Sequence, residues 1–200
     1  MNMLLYRKIK NKLVSQSYCY FNILNKISFL LNGVNLRGKI KTYGKIQIKN
    51  VNGKITIGDN VTINSASWAN PIGGGMKTQF QIVGQGEIHI GSNTGISNTA
   101  ITSASTVYIG SNVLLGSGVR IFDTDFHPIS ANDRKKGILD CIKTAPVKIE
   151  DNVFIGTDTI ILKGVTIGQN SVIGAGSVVT TNVPSHEIWA GNPAHKLKKV

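Results

Sequence analysis

Three ionisable side chains lie within five positions of one another in the stretch FDTDFHPIS, residues 122–130, namely Asp123, Asp125 and His127. An unperturbed imidazole has a pKa of about 6.5, so a neutral histidine can take a proton from a hydroxyl group near pH 7. Asp125 precedes His127 by two residues, and in an extended backbone its carboxylate would lie on the same side and orient the imidazole. Asp123 is the alternative for that orienting role. We therefore predict that His127 acts as a general base.

The position of His127 in the chain favours chemistry over an ordinary loop role. A histidine followed by proline is common in loops, and aspartate is a common turn residue. Here, however, the surrounding sequence places an apolar residue at every sixth position, as in IGSNVLLGSGVR before it and IEDNVFIGTDTIILKGVT after it. The residues between these stretches follow no repeat. The sequence therefore predicts a protruding loop at 127–146 that leaves a regular structure.

The repeat units share a turn-forming residue in their fourth position. It is Asn, Asp or Gly in ten units, at positions 60, 93, 112, 118, 152, 158, 164, 170, 176 and 182. These residue types adopt a left-handed backbone most readily, so a turn recurs every six residues. A hexapeptide period with an apolar ladder predicts an all-β chain forming a parallel β-helix, over residues 34–200.

The ends of such a coil need to be covered. Residues 1–33 have Leu5, Ile9 and Leu13 four positions apart with cationic residues between them, which predicts a basic amphipathic helical segment. Residues 185–200 form the predicted C-terminal cap, with a short helix in the lysine-rich tail. The segment between the repeat residues 63 and 90 fits no unit and predicts a loop or a distorted coil.

Positive charge is concentrated at the start of the chain. The net charge is +12, and residues 1–58 contain eleven Lys and Arg but no Asp or Glu. A basic apolar helix can lie on an anionic membrane surface or bind an acidic glycan carrier, and packing against the domain or a neighbouring subunit is the alternative. We expect a cytoplasmic protein, with peripheral contact at the inner membrane face through residues 1–30. The basic stretch lacks the modules and aromatic platforms of nucleic-acid-binding proteins, so we expect no nucleic acid partner.

The residues also resemble a known family. The stretch VFIGTDTIILKGVTIGQNSVIGAGSVVTTNVPSHEIWAGNPAHKLKKV is similar to the C-terminal half of the hexapeptide-repeat acyltransferases, in the branch of maltose and galactoside O-acetyltransferases and related capsular and lipopolysaccharide O-acetyltransferases. FDTDFHP matches the place where that branch has its catalytic histidine. The resemblance covers about residues 34–200. It implies a left-handed coil, an exception to the right-handed crossover rule, and a homotrimer with active sites between subunits.

The resemblance implies acetyl-CoA as the acyl donor. The family's coenzyme A contacts correspond to Thr157, Ala175 and Thr180. Members of the family commonly have lysine after the last of these, whereas this chain has Thr181. We therefore expect Lys198 to bind phosphate, alone or with His195 or Lys196, because a compact cation suits a phosphate group.

The acceptor site is predicted from a weaker match. The tripeptide ISN at 96–98 aligns approximately with the family's acceptor-binding asparagine, which makes Asn98 the candidate. Trp68 and Asn70, in the segment that fits no repeat unit, are the alternatives.

The function implied by the resemblance is transfer of an acetyl group from acetyl-CoA to a hydroxyl of a sugar or surface-polysaccharide precursor, with His127 as general base. A non-catalytic scaffold or binding protein is one alternative, and an acyltransferase for serine or an antibiotic is another. A β-helical carbonic anhydrase would need three zinc-binding histidines. The chain has His89, His127, His186 and His195, and the last two follow the repeat, so we expect no metal.

Overall fold

We describe a computed structural model that covers residues 3–72 and 75–200, without the side chains of residues 4, 6 and 8–16. Its regular elements are two helices, α1 (Met3–Leu31) and α2 (Ala131–Lys136), and twenty short strands. The first ten are β1 Val34–Leu36, β2 Ile40–Tyr43, β3 Gln47–Lys49, β4 Lys54–Ile57, β5 Val61–Asn64, β6 Gln79–Ile82, β7 Glu87–Ile90, β8 Gly95–Ser97, β9 Ala100–Ser103 and β10 Thr106–Ile109. The others are β11 Leu114–Leu115, β12 Arg120–Phe122, β13 Val147–Ile149, β14 Phe154–Ile155, β15 Ile160–Ile161, β16 Thr166–Ile167, β17 Val172–Ile173, β18 Val178–Val179, β19 Glu187–Ala190 and β20 His195–Lys199.

The strands form three sheets, and as far as β18 each sheet takes every third strand. Sheet A has the order β1-β4-β7-β10-β13-β16, sheet B has β2-β5-β8-β11-β14-β17-β19-β20, and sheet C has β3-β6-β9-β12-β15-β18. All neighbours are parallel except β19 and β20. The chain therefore winds through six complete three-stranded coils, and the predicted all-β parallel β-helix is confirmed. We call the corners from sheet A to B edge 1, from B to C edge 2 and from C to A edge 3.

The corners are built by the predicted turn residues. Nine of the ten fourth-position residues have a left-handed backbone, with φ from 54° at Asn60 to 79° at Gly164. The exception is Asn182, whose side-chain Oδ1 accepts the N–H of Thr166 over 2.8 Å. Glycine precedes many of these turns because the coils stack closely. A Cβ added to Gly91 would lie 2.4 Å from the carbonyl carbon of Gly110.

Isoleucine and valine fill the interior of the coil. Sheet A illustrates the register, because Ile55 pairs with Ile88, Ile88 with Val107, and Val107 with Val147. All four side chains are fully buried. Burial of each such side chain contributes roughly 1.5–3 kcal/mol, so the stacked ladder is the main source of stability.

Helix α1 is continuous, and its C-terminal part packs on the first coil. Phe29 is buried in the core, and the buried Asn25 amide donates to Thr42 Oγ1 over 3.0 Å and to the Gly44 carbonyl over 2.9 Å. Asn25 Oδ1 in turn accepts the N–H of Ile46 over 3.0 Å. These bonds satisfy polar groups that would otherwise face an open coil end. No helix within residues 3–72 and 75–200 has the length and apolar character needed to cross a membrane.

The predicted C-terminal helix is wrong, because the tail forms a strand. β20 pairs antiparallel with β19, with Glu187 opposite Lys199 and Ala190 opposite His195. β19 continues sheet B and would otherwise leave a row of backbone N–H and C=O groups without partners. Pairing satisfies those groups, and this outweighs the favourable helix propensity of the tail lysines.

Two segments leave the coil at its corners without shifting the strand register. Val107 pairs with Val147, forty positions later, whereas Lys148 pairs with Thr166, only eighteen positions later. The additional residues form the loop at edge 3, which begins at Asp123, four residues before its predicted start. The second insertion, residues 65–78, lies at edge 2 between β5 and β6. Both insertions are thus fixed at their bases by stacked strands.

Candidate active site

The base of the edge 3 loop is a short antiparallel neck. Thr124 forms a bridge with Thr144, and the N–H of Asp125 donates to the carbonyl of Lys143 over 3.1 Å. On the coil side, the N–H of Ala145 donates to the carbonyl of Asp123 over 2.9 Å. The neck therefore fixes residues 123–125 relative to the coil. The loop residues that follow Asp125 therefore extend from a fixed position on the coil.

His127 lies just outside this neck, and its side chain is exposed. The backbone reverses at Phe126, which has φ of 63°, and the N–H of His127 donates to the carbonyl of Asp125 over 2.7 Å. The rings of Phe126 and Phe122 pack edge to face with their centroids 5.2 Å apart. A left-handed phenylalanine is unfavourable and is found where surrounding structure requires it, often at functional sites. The turn leaves the imidazole at the surface, and in the described residues it has no hydrogen-bond partner.

Asp125 pairs with Lys163 rather than with His127. The Nζ of Lys163, which follows β15 at edge 3, lies 2.6 Å from Oδ1 of Asp125. Oδ2 of Asp125 is buried and accepts no hydrogen bond from the described part of the chain. The predicted contact between Asp125 and His127 assumed an extended backbone, and the turn at Phe126 removes that condition. Asp125 still has one unused acceptor beside the loop.

The carboxylate of Asp123 is buried and hydrogen-bonded to the preceding coil. Its side chain is fully buried, and Oδ1 accepts the N–H of Ala104 over 2.7 Å. Oδ2 accepts from Ser103 Oγ over 2.7 Å and from the N–H of Ser105 over 2.8 Å. Both oxygens are therefore used to hold the edge 3 corner of the preceding coil. This bonding argues against Asp123 as the residue that orients His127.

The predicted coenzyme A contacts fall on two different edges. Thr157 and Ala175 occupy equivalent places on edge 2 in successive coils, and the N–H of Gly176 donates to the Thr157 carbonyl over 2.8 Å. Neither the N–H of Thr157 nor that of Ala175 donates a hydrogen bond to any residue that the structure describes. Thr180 instead follows β18 at edge 3, on the side of His127. Sheet C separates the two edges, so one chain does not bring all three residues together.

The three predicted phosphate ligands lie on or at the start of β20, and they differ in availability. Lys196 forms an ion pair with Glu187, which also accepts the indole N–H of Trp189 over 2.8 Å. Lys196 and then Trp189 hold the pKa of Glu187 below its ordinary value by hydrogen bonding to the carboxylate. Lys198 is exposed opposite Ile188, and none of the ion pairs in residues 3–72 and 75–200 includes it. Lys198 and Lys199 are thus the exposed lysines of this strand that no ion pair among the described residues includes.

Asn98 is buried, contrary to what a direct acceptor contact requires. Its side chain is fully inaccessible, with Nδ2 donating to the Asn70 carbonyl over 3.1 Å and to Ser117 Oγ over 2.9 Å. Asn98 also makes the edge 2 turn of its coil, with φ of 45°. It therefore joins the 65–78 insertion to the coil. Its Oδ1 has no hydrogen-bond partner among the described residues.

A cleft of about 420 Å³ adjoins the loop neck. Its walls come from the edge 3 corners of the second and third coils and from both sides of the neck, and they are Val83, Gly84, Gln85, Ala104, Thr124, Phe126, Ile142 and Thr144. Most of this surface is apolar. The sequence gives no local signal for the cleft, because its walls come from four separate segments that only the fold brings together.

The histidines do not converge on one point. His89 contacts Glu87 over 2.6 Å, and His186 contacts Asn170 over 3.3 Å. His186 lies within the stack rather than after it, since its N–H donates to the Gln169 carbonyl over 3.0 Å. Among the residues described, no group of three or more His, Cys, Asp or Glu side chains is arranged to hold a metal ion.

The sequence is similar to those of known acyltransferases. The family model described as the hexapeptide repeat of succinyl-transferase matches residues 146–181. The chain is 36% identical over 147 residues to galactoside O-acetyltransferase of Lactococcus lactis, covering 72% of this chain and 62% of the relative. It is 41% identical over 114 residues to galactoside O-acetyltransferase of Escherichia coli, covering 56% and 54%. The chain thus spans about half to three fifths of the length of these curated relatives.

Solved structures agree with the sequence matches. A maltose O-acetyltransferase from Clostridium difficile superposes with a TM-score of 0.56 at 28% identity, covering 94% of this chain and 88% of that one. Galactoside acetyltransferase in complex with coenzyme A gives a TM-score of 0.54 at 34% identity, covering 70% and 64%. A hexapeptide-repeat acetyltransferase from Vibrio cholerae complexed with acetyl-CoA gives 0.54 at 31%, covering 60% and 64%. In its repeats, its left-handed parallel β-helix and these matches, the chain is similar to the hexapeptide-repeat acetyltransferases.

Proposed function

We propose that the protein is an O-acetyltransferase that moves an acetyl group from acetyl-CoA to a hydroxyl group of a sugar or surface-polysaccharide precursor. The observation that carries the proposal is an exposed imidazole, His127, presented from a fixed neck beside an apolar cleft. A scaffold protein has no need for this arrangement. The relatives named galactoside and maltose O-acetyltransferase support a sugar hydroxyl as the acceptor.

In the proposed reaction, a ring nitrogen of His127 takes the proton of the acceptor hydroxyl as its oxygen attacks the thioester carbonyl. The tetrahedral intermediate then collapses, the C–S bond breaks, and the imidazolium returns its proton to the departing thiolate. The products are the acetyl ester and coenzyme A. The buried Oδ2 of Asp125 can accept the second ring N–H after a rotation of the His127 side chain, and this would stabilise the imidazolium.

The edge 2 corners provide the polar groups that an acyl donor needs. We propose that the uncommitted N–H groups of Thr157 and Ala175 donate to amide carbonyls of the coenzyme A arm. Lys198, exposed on β20, would bind phosphate, and Thr180 would contact the donor from edge 3. These assignments rest on two main-chain donors one coil apart that have no acceptor among the described residues, together with the coenzyme A complexes of related proteins.

The separation of these residues supports a shared site. Thr157 and Ala175 lie on edge 2, whereas His127 and Thr180 lie on edge 3, and sheet C lies between the two edges. We propose a homotrimer in which edge 3 of one copy faces edge 2 of its neighbour. Each interface would then join a catalytic loop to donor-binding amides. The apolar cleft beside Phe126 would receive one face of the acceptor ring.

The decisive experiment is a free-thiol release assay with acetyl-CoA against galactosides, maltose, other sugars, nucleotide sugars, serine and an aminoglycoside. We expect release with a member of the sugar classes and an acetylated product by mass spectrometry. Release with serine or the aminoglycoside alone would overturn the sugar acceptor. No thiol release with any acceptor, together with no rise in melting temperature on adding coenzyme A, would overturn the proposed enzymatic function and favour a scaffold protein.

A further inference from the structure

Helix α1 has two opposite faces. One face packs on the first coil through the buried residues Asn25 and Phe29. At 3.6 residues per turn, a second set of side chains lies on the far side of the helix. This set is apolar and at least half exposed, and we call it the apolar stripe: Leu5, Tyr20, Ile23, Ile27, Leu30 and Leu31. The stripe stays exposed among the described residues, where its one aromatic contact joins Tyr20 to the adjacent Phe21, with ring centroids 5.3 Å apart.

The same end of the molecule is strongly positive. The described side chains before the first acidic residue, Asp59, include eight exposed cations: Arg7, Lys26, Arg37, Lys39, Lys41, Lys45, Lys49 and Lys54. No ion pair in the described part of the chain involves any of them. After Asp59 the positive and negative charges nearly balance, with eleven Lys and Arg against ten Asp and Glu. Charge and exposed apolar surface therefore coincide at the N-terminal end of the coil.

We propose that this end docks on an anionic lipid surface, with the apolar stripe entering the interface and the surrounding cations facing lipid phosphates. A helix with apolar and cationic surface together is the arrangement that binds such membranes. Charge complementarity favours an anionic lipid surface over a second copy of the chain as the partner of this end. A second copy would bring the same uncompensated cations against themselves, and like charges repel.

The test uses the full chain and sedimentation with vesicles of phosphatidylcholine alone or with added phosphatidylglycerol. We expect binding that is about tenfold stronger on the anionic vesicles and that weakens with salt. The stripe variant Ile23→Ser/Ile27→Ser should lose about tenfold in binding. Its matched control is Leu139→Ser/Leu197→Ser, which changes two somewhat more exposed apolar residues elsewhere and should bind like the parent.

A charge variant separates the two contributions. Lys26→Gln/Lys45→Gln should bind anionic vesicles several-fold more weakly and retain the melting temperature, because both side chains are exposed. Equal binding to both vesicle types, no binding to either, or a stripe variant that binds like the parent would overturn the proposal. A stripe variant that instead lowers the molecular mass in light scattering would assign the stripe to contacts between copies. Tight binding of an oligonucleotide with no binding of vesicles would also overturn it.

Discussion

The ammonium of Lys163 lies 2.6 Å from the Asp125 carboxylate and so ties the neck of the edge 3 loop to the corner of the next coil. Because Asp125 precedes His127 by two residues and their main chains are hydrogen-bonded, this pair restrains the support from which the imidazole extends. The contact joins residues far apart in sequence. It relates the proposed chemistry directly to the stacking of the coils.

We predict that Lys163→Met lowers kcat about tenfold while the free energy of unfolding changes by less than about 1 kcal/mol. The stability effect is small because the side chains of Lys163 and Asp125 are 28% and 21% exposed, and water screens the pair. Thiol-release kinetics and urea unfolding measure the two quantities. Lys148→Met removes a comparable surface pair with Glu150 and serves as control. An unchanged kcat in Lys163→Met would remove the pair from the mechanism.

His127→Ala should lower kcat by roughly 10²–10⁴, the range expected on loss of a general base. The melting temperature and oligomeric mass should stay at their parent values, because the side chain is exposed and makes no hydrogen bond within the described residues. His89→Ala is the matched control, since His89 contacts Glu87 on the surface of sheet A. Turnover within a few-fold of the parent in His127→Ala would exclude this residue as the base.

Substitutions of Asp123 and Asp125 should differ in their effects on stability and kcat. Asp123→Ala leaves the donors of Ser103, Ala104 and Ser105 without their acceptor, and we expect a loss of about 3 kcal/mol in the free energy of unfolding. Asp125→Ala should cost much less stability and act on kcat instead. Urea unfolding of both variants tests this. Equal destabilisation by the two substitutions would contradict the structural assignment of Asp123.

Stability at the C-terminal hairpin should depend on pH through Glu187. Its pKa is lowered in the folded chain by Lys196 and then Trp189, so the carboxylate stabilises the fold above its ordinary pKa of about 4.3. That contribution is lost as the pH falls through the lowered value. We expect Glu187→Gln to be less stable than the parent at pH 7, with the difference narrowing toward pH 3. A difference independent of pH in thermal melts would contradict this linkage.

Asn25→Ala should destabilise the junction of α1 with the first coil by about 2–3 kcal/mol, because the Gly44 carbonyl and the Ile46 N–H lose their buried partner. Asn35→Ala, at an exposed position on β1, is the control and should be nearly neutral. Hydrogen exchange of α1 gives a second readout. Unchanged stability of Asn25→Ala would mean that the helix contributes little to closing the coil.

The coil could be predicted because its determinants are local. Asn60 and its counterparts specify turns through their own backbone preference, and the intervening Ile and Val specify short buried strands. The strand at 195–199 was missed because its conformation depends on the unpaired edge of β19, which no local property of the lysines reveals. The burial of Asn98 was not predicted for a similar reason, since it depends on contact with the distant Asn70.

The candidate site was predicted where a side chain had a recognisable chemical type and position, as with His127. The partner of Asp125 was not predicted, because Lys163 comes from the next coil. The turn at Phe126 also directs the side chains of Asp125 and His127 away from each other. The cleft beside the neck was also missed. Its walls belong to corners that are distant in sequence and adjacent only through stacking.

The register on either side of the long loop has a consequence for how such proteins diversify. Val107 and Val147 pair as neighbouring strands do elsewhere in sheet A, although a whole loop separates them. Chain length can therefore change at a corner while the pairing of the stacked strands stays intact. Related chains could acquire a different acceptor pocket by exchanging one corner segment, such as residues 65–78, without renewed selection on the core.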